Sequence, residues 1–127
     1  MEELKELASK QEYVETMHGR KVFLPNISHS NFQVRSAAER TAINAPIQGT
    51  AADIIKIAMI NIKEWLIREN IHNVFMIMQV HDELVFEIDD SDIHRYGDKI
   101  SDLMASAEKL SVPLLVNTFS GSNWQET

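Results

Sequence analysis

The stretch VFMIMQVHDELVFEI, residues 74–88, decides the fold, because two apolar runs meet there at a short polar tip. Each run has the length and composition of a β-strand, and the tip His81-Asp82-Glu83 separates them. The stretch therefore predicts an antiparallel β-hairpin. Because the runs are apolar on both faces, we expect the hairpin to lie inside a sheet and to be covered by other elements.

A long helix is predicted before this hairpin, from Phe32 to about Glu69, because apolar residues recur there at steps of three and four. The recurring residues form one stripe that we assign to the core: Ile47, Ala51, Ile54, Ile55, Ala58, Ile62, Trp65 and Leu66. The apolar residues off the stripe, which predict burial on more than one side, are Ile57, Ile60 and Ile67. Pro46 lacks an N–H group and Gly49 disfavours a helix, so we expect a kink or break near residues 44–49.

The flanking segments carry further secondary structure. Residues 2–10 have the pattern of a helix end, and residues 13–16 and 21–24 predict a hairpin with a turn at His18-Gly19. Either Ser30 or Asn31 can cap the long helix. Residues 93–110 predict a second amphipathic helix and residues 113–119 a last strand.

These elements predict an α+β fold, in which antiparallel β-hairpins pack against two main amphipathic helices. A chain of 127 residues with 44% hydrophobic residues is long enough for one modest domain. We therefore expect residues 1–127 to form a single partial domain, in which residues 1–31 are a helix remnant plus a hairpin. No cysteine is present, so disulfides and thiolate sites are excluded. The charged start and the lack of a long apolar run predict a cytoplasmic protein with no membrane partner.

The net charge of −7 argues against a nucleic-acid partner, but the charge is unevenly distributed. Residues 17–40 hold four Lys and Arg and one Glu, whereas residues 82–109 hold nine Asp and Glu and three Lys and Arg. The first stretch is therefore basic and the second strongly acidic, and the two cannot serve the same partner surface.

The His81-Asp82-Glu83 tip is the first candidate for chemistry. Carboxylates at the rigid end of a buried hairpin suit Mg²⁺, which takes one or two carboxylates together with water and substrate phosphate. Adjacent residues of a strand point to opposite faces, so Asp82 and Glu83 need not share an ion, and a second carboxylate should come from elsewhere. The alternative is an ordinary polar turn, in which Asp is common.

The second candidate is the row formed by Arg40, Asn44 and Gln48, which we call the α2 row. A spacing of four residues brings the three side chains to one face of a helix. Asn and Gln can donate to acceptors on base edges, and Arg can serve phosphates or acceptors. The alternative is an exposed helix stripe without a partner. The stretch Gln48–Asp53 lacks the glycines and lysine of a phosphate-binding loop.

Four motifs stand in order along the chain: YVETMHGRKVFLPNI at 13–27, RSAAERTAINAPIQGTAADIIKIAMI at 35–60, MIMQVHDELVFEI at 76–88 and VPLLVNTFSGSNW at 112–124. Together they resemble the C-terminal portion of the family A DNA polymerases of bacteria, over nearly the whole chain. QVHDE between apolar strands is similar to motif C of that family, and INAPIQGTAAD is similar to the helix along the primer-template minor groove. The chain resembles a piece of the polymerase palm cut on its N-terminal side.

The resemblance implies roles for the two candidate sets of residues. Asp82 would be one of two aspartates that hold two Mg²⁺ ions, Glu83 a supporting carboxylate, and His81 a contact of the primer terminus. The α2 row would contact primer-template DNA through minor-groove acceptors that all base pairs share. The implied reaction is two-metal nucleotidyl transfer from deoxynucleoside triphosphates, in DNA replication and repair.

The family's motif A strand, with its partner aspartate, and the nucleotide-binding fingers helix have no counterpart in this sequence. We therefore expect the chain alone to be inactive, not to bind Mg²⁺ stably, and to need the missing N-terminal portion as its partner. An uncovered apolar sheet predicts self-association, strand pairing or partial disorder near residues 74–88. Two alternatives remain open: a non-catalytic DNA-binding module, and a protein-interaction module such as a subunit of a split polymerase.

Overall fold

The computed structural model describes residues 2–108 and 114–123. In chain order its elements are α1 (Glu2–Gln11), β1 (Tyr13–Glu15), β2 (Lys21–Phe23), α2 (Phe32–Arg68), β3 (Val74–Val80), β4 (Glu83–Ile88), a 3₁₀ turn (Asp90–Asp92) and α3 (Ile93–Ala105). The two hairpins and three helices confirm the α+β prediction. Backbone contacts group the residues into two compact units, the first ending at Asp53 and the second beginning at Ile54.

The first unit is built on the β1–β2 hairpin, whose antiparallel register opposes Val14 to Val22. Its core consists of small and aliphatic side chains from α1, the hairpin, the loop after it and the start of α2: Ala8, Val14, Leu24, Ile27 and Ala42. Asn31 caps α2, as predicted, because its Oδ1 accepts hydrogen bonds from the backbone N–H groups of Gln33, at 2.9 Å, and Val34, at 3.3 Å.

Of the kink or break predicted near residues 44–49, a break is wrong, because α2 runs without interruption through Pro46. Pro46 cannot donate the hydrogen bond that the carbonyl of Ala42 would receive in an ordinary helix. Pro46 therefore removes one backbone hydrogen bond here without ending the helix. At its far end α2 stops at a residue in the left-handed region, Asn70, with φ 54°, and the N–H of Ile71 bonds back to the carbonyl of Leu66 at 2.9 Å.

The second unit is built on the β3–β4 hairpin, in which Val80 opposes Glu83 and Val74 opposes Ile88. The register shifts between Met76 and Met78, so Ile77 is the extra residue of a β-bulge. One side of the hairpin packs on a core drawn from the end of α2, the first residue of β3 and α3: Ile62, Trp65, Leu66, Val74, Tyr96 and Ile100. The Trp65 and Tyr96 rings meet edge to face, with centroids 5.8 Å apart.

Several predictions about burial need correction. The hairpin is not covered on both faces, because Phe75 and Ile77 of β3 are 54% and 55% exposed, in a sheet that has two strands within the described residues. The α2 stripe is core only at its C-terminal end, since Ile47 is 67% exposed. Burial on more than one side is wrong for Ile60 and Ile67, which are 57% and 68% exposed, whereas Ile57 is half-buried. Two of the three apolar residues off the stripe therefore face solvent.

The C-terminal predictions fall partly outside the described residues. α3 ends at Ala105 rather than near residue 110, and Leu110 is not among the residues described. Residues 114–119 are not a strand, so that part of the predicted last strand is wrong, while Pro113 and Trp124 lie outside the described ranges. Across the described part of the chain, no helix has the length and apolar composition needed to span a bilayer.

Candidate functional site

The tip of the second hairpin is a two-residue connection, His81-Asp82, between β3 and β4. His81 has a φ of 54°, in the left-handed region that a residue with a side chain adopts at a cost of about 1–3 kcal/mol. The Gln79 side chain supports this backbone by donating from Nε2 to the His81 carbonyl at 2.7 Å. The ladder, the core beneath it and this hydrogen bond together fix the backbone that carries the acidic residues.

Asp82 and Glu83 are exposed, as is His81. Within residues 2–108 and 114–123, no Lys or Arg forms an ion pair with Asp82. Nor do the described residues contain a group of three or more His, Cys, Asp or Glu side chains placed to hold a metal ion. The tip therefore offers open carboxylate oxygens, but only part of a metal-ligand set.

The α2 row lies in the first unit, and all three of its side chains are exposed. On a regular helix, eight residues rise about 12 Å and the three side chains span about 80° of the circumference. No described residue hydrogen-bonds or ion-pairs with the side chains of Arg40, Asn44 and Gln48. The structure therefore brings the row together as predicted, with its polar groups free to meet a partner.

A polar cluster that sequence reasoning missed binds the turn of the first hairpin to α2. Its centre is Asp53, whose Oδ2 accepts from the Thr16 hydroxyl at 2.8 Å and whose Oδ1 accepts from Arg20 Nε at 3.0 Å. His18 Nδ1 lies 3.6 Å from the same carboxylate. Arg20 Nη2 also donates to the Gly49 carbonyl at 3.3 Å, and the N–H of Met17 donates to Thr50 Oγ1 at 2.8 Å.

The electrostatics of this cluster favour the ionised carboxylate. The hydrogen bond from Thr16 lowers the pKa of Asp53 most; burial opposes that effect, and Arg20 and His18 lower the pKa further. The Asp53 side chain is 12% exposed, whereas that of Arg20 is 48% exposed. Arg20 is thus committed to an ion pair, so the basic stretch predicted from residues 17–40 has one free cation fewer than its count suggests.

Gly49 lets the hairpin approach α2 closely. A Cβ at this position would lie 2.6 Å from Cγ2 of Thr16 and 3.3 Å from Arg20 Nη2. Thr16 is itself buried and hydrogen-bonded, so it has little room to move. We call the contact of Thr16, Arg20, Gly49 and Asp53 the hairpin clamp. A glycine inside a helix was its one visible signal in the sequence, because such a residue usually has a packing reason.

Comparison with known proteins reveals the family of the chain. The family model described as DNA polymerase family A matches residues 1–126. The chain belongs to DNA polymerase family A. It is 48% identical over 126 residues to DNA polymerase I of Pseudomonas aeruginosa, and the matched region covers 99% of this chain and 14% of that protein. It is 47% identical over 119 residues to DNA polymerase I of Mycobacterium bovis, and here the matched region covers 94% of this chain and 13% of that protein.

A solved structure agrees with this family A assignment. The chain superimposes with a TM-score of 0.84 and 42% identity on the POL domain of Pol1 from M. smegmatis, in complex with DNA primer-template and dNTP. The match covers 90% of this chain and 20% of that one. The sequence resemblance is thereby confirmed at the level of family and fold. The chain spans about one seventh of the length of the curated relatives it matches.

Proposed function

We propose that this chain acts as the C-terminal part of the palm of a DNA-directed DNA polymerase. In this proposal Asp82 supplies one metal-binding carboxylate and the α2 row contacts primer-template DNA. The observation that carries the proposal is the open Asp82 carboxylate: it stands exposed on a rigid hairpin tip, without an ion pair among the described residues, in a chain of a polymerase family.

The donor chemistry of the tip suits a divalent cation. Carboxylate oxygens are the ligands that Mg²⁺ prefers, and one or two of them suffice when substrate phosphates and water complete the shell. Asp82 would hold the metal and Glu83 would support it, while a second aspartate would come from outside these residues. When bound, two such ions would supply the positive charge that favours ionisation of a primer 3′-hydroxyl and stabilises the triphosphate.

The geometry of the α2 row suits a DNA groove. Three side chains over about 12 Å match roughly three base-pair steps. Asn44 and Gln48 would donate to the minor-groove acceptors that A·T and G·C pairs share, and Arg40 would add a charge-assisted contact. Such contacts would report pairing geometry without preferring a sequence. Primer-template DNA and deoxynucleoside triphosphates are the partners proposed, in the cytoplasm, with Mg²⁺ as the metal.

The activity is tested in a chimaera, in which residues 1–127 replace the matching segment of the P. aeruginosa DNA polymerase I. The chimaera should extend a primer on a template with Mg²⁺, and Asp82→Asn should reduce extension about a thousandfold, because a metal-binding charge is lost. Asp90→Asn, at an exposed aspartate of the 3₁₀ turn, is the matched control. Full extension by the Asp82→Asn chimaera would refute the role of Asp82, and extension by residues 1–127 alone would refute our expectation of inactivity.

The DNA contacts are tested with the chain itself, by fluorescence anisotropy on a labelled duplex. Arg40→Ala should weaken binding about tenfold and Gln48→Ala about fivefold, in line with one charged and one neutral hydrogen bond. Lys56→Ala removes the same charge as Arg40→Ala from an exposed position further along α2, and should change affinity about twofold at most, since only non-specific attraction is lost. Equal losses for Arg40→Ala and Lys56→Ala would contradict a specific role for the row.

A second candidate function rests on the exposed apolar residues of the second unit. Phe75 and Ile77 leave one face of β3 open, and Ile60 is also exposed. A protein-interaction module, as in a subunit of a split polymerase, would use this face. Adding the remaining polymerase segment as a separate chain and measuring primer extension distinguishes this candidate. A DNA-binding module without catalysis would bind duplex DNA and yet give an inactive chimaera.

A further inference from the structure

The part of α2 that carries Asn44 and Gln48 is intrinsically weak as a helix. Pro46 removes the hydrogen bond to the Ala42 carbonyl, and Gly49, three residues later, is the least favourable ordinary residue in a helix interior. α2 nevertheless continues through both positions. Because the α2 row depends on regular helical spacing, something outside the helix must offset two helix-disfavouring residues next to it.

The hairpin clamp lies at the right place to do so. Counting 100° per residue, Gly49 and Asp53 are about 140° and 180° around the helix from Asn44, so the clamp grips the side opposite the α2 row. The clamp residues Thr16 and Arg20 make three hydrogen bonds to the helix, and the neighbouring Met17 N–H makes a fourth; all four reach residues 49–53. The side chains of the row are left exposed.

The close approach of the first hairpin to α2 depends on the absence of a Cβ at Gly49. A Cβ at Gly49 would meet Thr16 Cγ2 at 2.6 Å, a distance that forces the hairpin or the helix to shift. Thr16 Oγ1 is held by Asp53 and also accepts from the N–H of Arg20 at 3.2 Å, so the displacement would disturb the whole turn. The second contact, with Arg20 Nη2 at 3.3 Å, involves the end of a flexible side chain and is easier to relieve.

We propose that the hairpin clamp is a positioning device for the α2 row: through Gly49 it holds the weak segment of α2 in the helical geometry that points Asn44 and Gln48 at DNA. This inference rests on the proposed function for its DNA partner. Thr16, Arg20, Gly49 and Asp53 are positioning residues, because they act through the row and not on DNA themselves.

The test uses residues 1–127 with two readouts: the NMR resonances of the Asn44 and Gln48 side-chain amides, and the affinity for a labelled DNA duplex. Gly49→Ala should shift both amide resonances and weaken DNA binding about fivefold, as for the loss of one hydrogen bond. Gly97→Ala is the matched control, because a Cβ at Gly97 in α3 meets nothing within 4 Å. It should change neither readout.

Rescue separates positioning from a general loss of stability. Thr16→Ser removes the methyl group that a new Cβ would meet and keeps the hydroxyl that donates to Asp53. The Thr16→Ser/Gly49→Ala double variant should therefore recover the wild-type amide resonances and an affinity within about twofold of wild type. In an Asn44→Ala/Gln48→Ala background, Gly49→Ala should cost little further affinity, since both positioned side chains are already gone.

The outcomes decide two different claims. Three results would each overturn the positioning role: unmoved amide resonances in Gly49→Ala, no recovery in Thr16→Ser/Gly49→Ala, or a full additional loss of affinity in the Asn44→Ala/Gln48→Ala background. If Gly49→Ala unfolds by circular dichroism, the double variant decides, because a folded chain with wild-type resonances supports the clamp and an unfolded one refutes it. If the wild-type chain does not bind duplex DNA, the DNA proposal fails, while the resonances still test positioning.

Discussion

Two aspartates, one in each unit, have opposite surroundings. Asp53 is nearly enclosed, and its carboxylate accepts hydrogen bonds from Thr16 and Arg20 and lies 3.6 Å from His18 Nδ1. Asp82 is exposed and forms no ion pair with any residue that the structure describes. A carboxylate that is held by partners within the protein serves the fold, whereas one that is fixed in place and left open can serve a ligand.

The two units also support their exposed polar residues by different means. In the first unit, side-chain hydrogen bonds of the hairpin clamp hold the back of α2. In the second unit, the backbone hydrogen bonds between β3 and β4 and the apolar core around Ile62 and Trp65 hold the hairpin that carries the acidic tip. The first support should therefore be sensitive to charge and shape at a few positions, and the second to the removal of apolar volume.

The largest effect is expected from shortening a buried side chain in the apolar core of the second unit. Ile62→Ala should lower the free energy of unfolding by about 3 kcal/mol, because Ile62 is 0% exposed and its removal leaves a cavity. Ile60→Ala makes the same change at a position that is 57% exposed and should cost well under 1 kcal/mol. Urea unfolding measures both, and amide exchange in β3 and β4 should accelerate only in Ile62→Ala. Equal destabilisation would mean that the core does not support the tip.

A smaller effect is expected on the exposed face of β3. Self-association of the chain is predicted, and Phe75→Lys should weaken it about tenfold, since one exposed aromatic side chain is lost and a charge is added. Ile47→Lys, at a position of the first unit that is 67% exposed, should leave association unchanged. Analytical ultracentrifugation compares the variants. A wild-type chain that stays monomeric at millimolar concentration would contradict the prediction.

The pH dependence should be the smallest effect and confined to the first unit. The pKa of Asp53 is lowered by folding, so its contribution to stability is complete above the unfolded pKa, near 3.8, and disappears as the pH falls through the folded value. The amide of Met17, which bonds Thr50, reports opening of the clamp by hydrogen exchange. In wild type, the protection of this amide against exchange should be lost as the pH becomes acidic. In Asp53→Asn, its protection should not change over the same pH range. The same acid response in Asp53→Asn would assign the effect to another carboxylate.

The sequence predicted most of the architecture because local patterns determine it. Two apolar runs on either side of the polar tip His81-Asp82-Glu83 predicted the second hairpin, and the Asn31 cap was visible as an Asn before a helical pattern. The α2 row followed from spacing alone, since four-residue steps bring side chains to one helix face. What these features share is that their causes lie within a few residues of one another.

The failures involve contacts between residues far apart in sequence. A kink or break near residues 44–49 was predicted from the local cost of Pro46 and Gly49, and the break is absent. The clamp that holds residues 49–53 comes from residues 16–20, which are 29 to 37 positions away. Asp53 gave no sign that Thr16 and Arg20 would surround it. The exposure of Ile47 and Ile60 was missed for a related reason, because periodicity identifies an apolar face but not whether another element covers it.

The most direct measurement of the central claim, that Asp82 supplies part of a divalent-metal site, is paramagnetic broadening of amide resonances by Mn²⁺ in the chain itself. With half of a ligand set, binding should be weak and fast, and low Mn²⁺ concentrations should broaden the amides of His81, Asp82 and Glu83 first. Asp82→Asn should abolish this preference and Asp53→Asn should retain it. Broadening that begins at the acidic turn Asp89–Asp92, or that is unchanged by Asp82→Asn, would contradict the account.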